Sequence, residues 1–337
     1  MAFFYRKQQE LIENINSLLS EQYGNLSEEE LFSLAAQDED TAEFTAVTGY
    51  AYWKSTLRIF LKNRIAVFFS GLIIFILFFT LIQPLLPHQK SSNTIYNDPV
   101  TGIQIQNRRP DHEFWFGTNS IGQDLWSRIW HGTRTSLFIG LSVACVEALL
   151  GVIIGVLWGY VRKLDFIFTE LYNIFDNVPQ TLVLILISYV LRPSVSTMIF
   201  AMCITSWLST ARFVRNQVVI IRDRDYNLAS RCLGTPVPWI IMKNLLPYLV
   251  SVITMRMAMA IPFAIGNEVF VSYIGLGLPL AIPSLGNLIN SGIDKLMEPA
   301  LRYQLIFPTI VLSIVTISFY IVGNAFADAS DPRNHVL

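Results

Sequence analysis

Apolar residues fall in long blocks along this chain rather than alternating with polar ones. Six blocks come close to the roughly 20 residues a helix needs to cross a bilayer: about Ile65–Leu86, Leu137–Tyr160, Phe168–Leu191, Ser196–Val218, Tyr248–Phe270 and Leu305–Ala325. The third is the most dilute, with Glu170, Asp176 and Asn177 in its first half and Pro179 inside it. Pro262 breaks the fifth. Residues 51–64 (AYWKSTLRIFLKNR) read as a basic amphipathic helix, with Trp53, Leu57, Phe60 and Leu61 along one face. Such a helix lies in the membrane interface before the first span, either as an anchor or as a gating or partner contact. Upstream, Ser27 with Glu30 fits a capping box before LFSLAA. The pattern predicts an all-α polytopic membrane protein with six transmembrane helices.

Composition sharpens this picture. Of 337 residues, 53% are apolar and 15% charged, against roughly 25% charged in a soluble domain. The mean hydropathy is +0.46. Disordered, collagen-like and small disulfide-stapled classes are excluded, and a compact soluble enzyme is disfavoured. The net charge of -1 hides an asymmetry: residues 1–50 hold 10 acidic and 2 basic residues, and the rest 15 acidic and 22 basic. We read 1–50 as an acidic N-terminal extension, a solvated segment or a partner contact. It lacks the apolar core of a signal peptide and is expected to stay in the mature chain. Cys145, Cys203 and Cys232 form no CxxC pair and read as isolated small residues.

Lys and Arg in the flanks set the orientation. One side collects 13, six of them in or beside the link between spans four and five; the other collects 8. Both termini are therefore expected in the cytoplasm, with the loops at about 87–136 and 271–304 outside. The expected organisation is the 1–50 extension, the 51–64 interfacial helix, the first span with a large outer loop (65–136), a core transmembrane domain (137–333) and a short tail (334–337).

Motifs for chemistry are missing. There is no GxxxxGK[ST], HExxH or GxSxG, and no Cys/His cluster. The chain is expected to carry no catalytic set, cofactor or metal, and nothing points to nucleic acid. Uphill work would need another chain to bind the nucleotide.

The link RDRDYNLASRCLGTPVPWIIMKNLLP, Arg222 to Pro247, is the most informative segment. Asp225 can cap a short helix running to Leu233, with Ala229 and Ser230 on a small, packable face. Gly234 ends it, and Pro236 and Pro238 prevent its continuation. A second helix, from Trp239 to about Leu246, returns to the membrane. The product is a short rigid helix on an elbow that a partner groove can grip.

Here the chain resembles the permeases of ATP-binding-cassette importers, whose signature loop reads roughly YxEAAxxxG and then Leu-Pro. Tyr226, Ala229, Gly234, Leu246 and Pro247 match; Leu228 replaces the glutamate and Ser230 the second alanine. The segment HEFWFGTNSIGQDLWSRIWHGTRTSLFIG, from His112, is similar to the family block FGTDxxGxDxxSRxxxGxRxSLxxG. EVFVSYIGLGLPLAIPSLGNLINSG, from Glu268, is similar to ExxLSFLGLGxxxPxPSWG, with Leu285 at the common tryptophan. The tail GNAFADASDPR completes a resemblance over about residues 52–333, to the dipeptide and oligopeptide branch and its subunit type ending in DPR.

The resemblance implies a type I importer permease fold. It implies a second homologous permease, two ATPases carrying ATP and Mg, an extracellular peptide-binding protein, a lipid bilayer and a peptide substrate. This chain would supply half the pathway and one coupling helix, with Arg224, Asp225, Tyr226, Leu228, Ala229, Ser230, Gly234 and Thr235 meeting the ATPase. Some close relatives carry nickel or antimicrobial peptides instead.

Charges inside spans are functional candidates by default. Glu147, Arg256 and Glu268 qualify. Arg256 either lines the pathway or pairs with a carboxylate. Glu268 and Met259 are further lining candidates, and the role of Glu147 is open. Met255, Met257 and Met259 suit either a tolerant lining or ordinary packing. The outer-loop tryptophans Trp115, Trp126 and Trp130 are interfacial anchors or contacts to the binding protein. A secondary transporter, a membrane enzyme and a scaffold are the rivals. The first would show repeated halves, and the sequence has none.

Overall fold

A computed structural model describes residues 52–330, and the expected 1–50 extension, its capping box and the tail lie outside them. Eleven α-helices are present among the described residues. Isolated bridges such as Ile95 with Gln123 are the only β pairing there. Four helices are long and apolar enough to cross a membrane, or five if one bent pair counts as a span.

α1 (Tyr52–Lys62) is shorter than the expected 51–64 helix. Asn63 ends it and starts α2 (Arg64–Ile82), its Oδ1 accepting from the Ile65 and Ala66 N–H groups. Phe60 buries against Phe326 at 5.8 Å, while Leu57 and Leu61 stay exposed. The expected apolar face is thus divided, and the Trp53 side chain lies outside the described ones.

α3 (Leu125–Tyr160) has 36 residues. At 1.5 Å per residue it measures roughly 54 Å, well beyond a hydrocarbon core of about 30 Å. It starts twelve residues before the apolar block predicted, and those first turns carry Arg128, His131 and Arg134. Asp124 caps it through the Ser127 N–H at 2.9 Å.

The expected third span is a correction. It is two helices, α4 (Arg162–Asp176) and α5 (Gln180–Val190), bent by 73°. Pro179 supplies no N–H and pushes Val178 out of the helical region, so the chain turns there. α6 (Val195–Arg222) is capped by Ser194. A short α7 (Asp225–Cys232) and α8 (Val237–Ile240) follow. Then a π-helical turn, Ile241–Leu245, leads into α9 (Leu246–Tyr273). α9 is continuous, so Pro262 sits inside it and does not break it as expected. α10 (Leu285–Ile293) is the short helix expected in the 271–304 loop, and α11 (Tyr303–Ser330) closes the chain.

The core is built on α3. Gly151, Gly155 and Gly159 face α6 directly; a Cβ at Gly155 would stand 2.5 Å from the Ala211 carbonyl. Glycine at every fourth position lets two helix backbones meet, as membrane helices require in the absence of a hydrophobic drive. On its other flank α3 packs with α9, α2 and α11 through Leu137, Ala144, Ile265 and Val315. The segment before α3 folds onto the head of α11, where Phe116 stacks on Phe307 at 4.2 Å and the Tyr303 hydroxyl donates to the Thr118 carbonyl at 2.8 Å. Trp126 meets Trp115 at 5.0 Å and Trp130 at 5.5 Å, so the three outer-loop tryptophans form one cluster.

Candidate coupling element and pathway face

α7 lies at the ends of α3 and α6: Arg231 donates to the Arg222 carbonyl and its guanidinium is 5.5 Å from the Tyr160 ring. Its start differs from expectation: Arg224 is the N-cap without a side-chain bond, and Asp225 is the first helical residue. An acidic side chain in the first turn still suits the helix dipole. Its end is as predicted. Gly234 has φ +76°, the Gly234 N–H donates to the Arg231 carbonyl, and the Thr235 N–H donates to the Ser230 carbonyl. These two bonds complete a Schellman cap, which needs the left-handed backbone glycine adopts freely. The return helix starts at Val237, two residues before Trp239, because Pro238 fits the first helical turn.

Tyr226, Leu228, Ala229 and Leu233 are exposed along α7, and Arg224 and Asp225 beside them are exposed too. Ser230 and Thr235 are half-buried; the Ser230 hydroxyl donates to the Tyr226 carbonyl at 2.8 Å. Leu228, at the family's glutamate position, offers an apolar contact where a carboxylate would offer a charged one.

The residue that fixes α7 in place was not singled out from sequence. Asn227 is fully buried. Its Nδ2 donates to the Ile221 carbonyl at 2.9 Å, and its Oδ1 accepts from Asn244 Nδ2 at 3.0 Å. One side chain therefore ties α7 to the last turn of α6 and to the π turn that begins α9. A polar asparagine between Tyr226 and Leu228 was the available signal, since buried amides are kept only when bonded. Asp223 adds a second clamp, facing Arg222 at 3.1 Å, Arg231 at 3.6 Å and Arg162 at 3.7 Å. Partial burial works to raise its pKa, and the three guanidinium groups outweigh that and hold it below the usual carboxylate range.

The second region lies among α3, α5, α6 and α9. Arg256 faces Glu147, with Nε 4.0 Å from the Glu147 carboxylate. The Thr210 hydroxyl sits between them, donating to Glu147 and accepting from Arg256 Nε at 3.3 Å. Arg256 Nη2 donates to the Ser209 hydroxyl at 2.9 Å. Arg256 and Met259 line a cavity of about 280 Å³ together with Glu147, Gln180, Ser209 and Phe263. Arg256 is thus paired with Glu147 and faces a cavity, and Glu147 gains a partner.

Glu268 is a correction to the expected lining set. It is fully buried. Its carboxylate accepts from Ser284 at 2.7 Å, Ser272 at 2.9 Å and Ser136 at 3.1 Å. No surface remains for a passing solute, and the residue joins α3, α9 and the start of α10 instead. The Leu285 N–H donates to the same Ser136 hydroxyl at 3.1 Å, extending the joint.

Comparison with known proteins places the chain in a family. Residues 151–336 match the binding-protein-dependent transport system inner membrane component family. The chain belongs to that family. Residues 51–100 also match the N-terminal TM domain of oligopeptide transport permease C. The oligopeptide transport system permease protein AmiD of Streptococcus pneumoniae is 36% identical over 310 residues, 91% of this chain and 98% of the relative. The oligopeptide permease OppC and the dipeptide permease DppC of Bacillus subtilis are each 32% identical, over 90% of this chain and 97% and 93% of theirs. In fold, the chain resembles an inward-facing MetNI methionine ABC transporter (17% identity, TM-score 0.50, 61% of this chain and 96% of that one). The chain is a multi-pass membrane permease of a binding-protein-dependent ABC importer, a transporter component whose family works with ATPase and binding-protein partners.

Proposed function

We propose that this chain forms half of the translocation pathway of an ATP-driven peptide importer and receives the force of ATP binding through α7. The peptide assignment follows the names of its relatives, which transport oligopeptides or dipeptides. A second, homologous permease completes the pathway, two ATPases bind ATP and Mg, and an extracellular binding protein delivers the peptide. The chain itself holds no cofactor and hydrolyses nothing. Its termini and the 222–247 link face the cytoplasm of a bacterial cell, in line with the 13-to-8 division of basic residues.

The observation that carries this reading is the Asn227 lock. A projecting helix transmits motion only if it cannot swing independently, and Asn227 holds α7 to α6 and to the π turn that leads into α9. α9 carries Arg256 and Met259 into the cavity, so a push on α7 reaches the cavity wall through one continuous helix.

ATP-driven uptake tests it. The reconstituted complex is expected to accumulate a labelled peptide when ATP and binding protein are both present, and the isolated chain to hydrolyse no ATP. Robust hydrolysis by the isolated chain, or uptake without ATP, contradicts the proposal.

A further inference from the structure

The ion pair in the cavity is built loosely. Two charges kept only for structure would gain most from direct, two-pronged contact, which arginine makes with a carboxylate when geometry allows. Here Nε stands 4.0 Å from Glu147 with the Thr210 hydroxyl between. Only Nη2 has a further acceptor, Ser209, and Nη1 has none among the described residues. The Arg256 side chain is 37% exposed, against 7% for Glu147. Glu147 therefore offsets the cost of the cation inside the bundle, the Phe213 ring lies 5.8 Å from the guanidinium carbon, and Nη1 is left for something else. Gln180, at the start of α5, lines the same cavity, and so do the apolar Met259 and Phe263. A second cavity of about 170 Å³ shares Gln180 and Ser209 and reaches to Asp176 and Pro179 at the α4–α5 bend. Gln180 and Ser209 thus stand on the wall of both cavities, beside the bend.

Building on the peptide-transport reading above, we propose that Arg256, with Ser209 and Gln180, is a subsite for the free carboxylate of the travelling peptide. The unpartnered Nη1 edge takes the carboxylate, Gln180 offers an amide donor, and Met259 and Phe263 meet the adjoining side chain without selecting its shape. Glu147 stays paired through Thr210, so the local charge is neutral without substrate and negative with it. That makes the carboxylate hold brief, as transit requires.

The test compares a tripeptide with its C-terminal amide in proteoliposomes holding the complete complex, with binding protein saturated by each. Wild type is expected to transport the acid roughly ten-fold faster than the amide, the size of one charge-assisted hydrogen bond. R256Q is expected to bring the ratio close to one by slowing the acid far more than the amide. R256K, which keeps the charge on a single donor, is expected to give an intermediate ratio, and it serves as the test variant if R256Q fails to assemble. A ratio unchanged from wild type in either variant, or a wild-type ratio near one, overturns the subsite alone. Absence of uptake of both peptides by the wild-type complex would instead overturn the peptide assignment.

Discussion

At the scale of single residues, the buried polar groups of this permease act as joints. Glu268 is the clearest. Its two oxygens receive three serine hydroxyls from three separate segments. A buried carboxylate keeps its place only when it is this fully bonded. Glu268→Ala removes the common acceptor, and each buried hydroxyl left without one costs about 1–3 kcal/mol. We expect that substitution to destabilise the chain by about 3 kcal/mol. Glu268→Gln, which keeps one acceptor oxygen, should cost less than half of that. Thermal melting of the purified complex distinguishes the two; equal melting of wild type and Glu268→Ala would show that the joint contributes nothing. The sequence marked Glu268 as functional because it is charged within a span. Its serine partners lie 4, 16 and 132 residues away, and separations of that kind have no local pattern to read. Arg256 and Glu147 were visible for the same reason, but their meeting through Thr210 depends on the parallel packing of α3 and α6. The glycine stripe that permits this packing, Gly151, Gly155 and Gly159, is legible as a spacing of four.

At the scale of elements, the α7 elbow was readable because its ends are local. The Gly234 turn and the flanking prolines dictate backbone geometry without tertiary help. The long helices were readable for a similar reason, since twenty apolar residues have few other uses. Their ends were less so. The α3 start depends on an Asp124 cap and on packing beyond the apolar slab, which hydropathy alone does not report. The α4–α5 bend was half visible: Pro179 was noticed, but a proline within a span can either kink or end it. Pro262 sits inside an unbroken α9, whereas Pro179 closes α4, and neighbouring helices decide which occurs. Force transmission belongs to this scale. Asn227→Ala cuts the bond to Asn244 and the bond to the Ile221 carbonyl together. We expect the complex to assemble and hydrolyse ATP at near wild-type rate, with peptide uptake per ATP reduced several-fold. Hydrolysis and uptake measured on the same proteoliposomes give that ratio directly. An unchanged ratio would mean that α7 is held well enough by the Asp223 clamp and the Gly234 cap.

At the scale of the whole molecule, the described helices divide their work. α3 and α6 form a tight pair through glycine contacts, α11 and the segment before α3 brace one end, and α7 stands out at the other. Between them α9 runs from the coupling element past the cavity to the Glu268 joint, one helix of 28 residues touching all three functional regions. A single-chain ATPase would have no use for such an arrangement, and neither would a static scaffold. The account requires partners on the α7 face and a second permease against the cavity face. Tagged chain recovered from its native membrane in mild detergent, with mass spectrometry of what accompanies it, tests this most directly. Two ATPases, a second six-span permease and a peptide-binding protein are the expected companions, and recovery should weaken for the ATPases alone when Asn227 and Tyr226 are both replaced by alanine. Recovery of the chain by itself, or with unrelated membrane enzymes, would contradict the account.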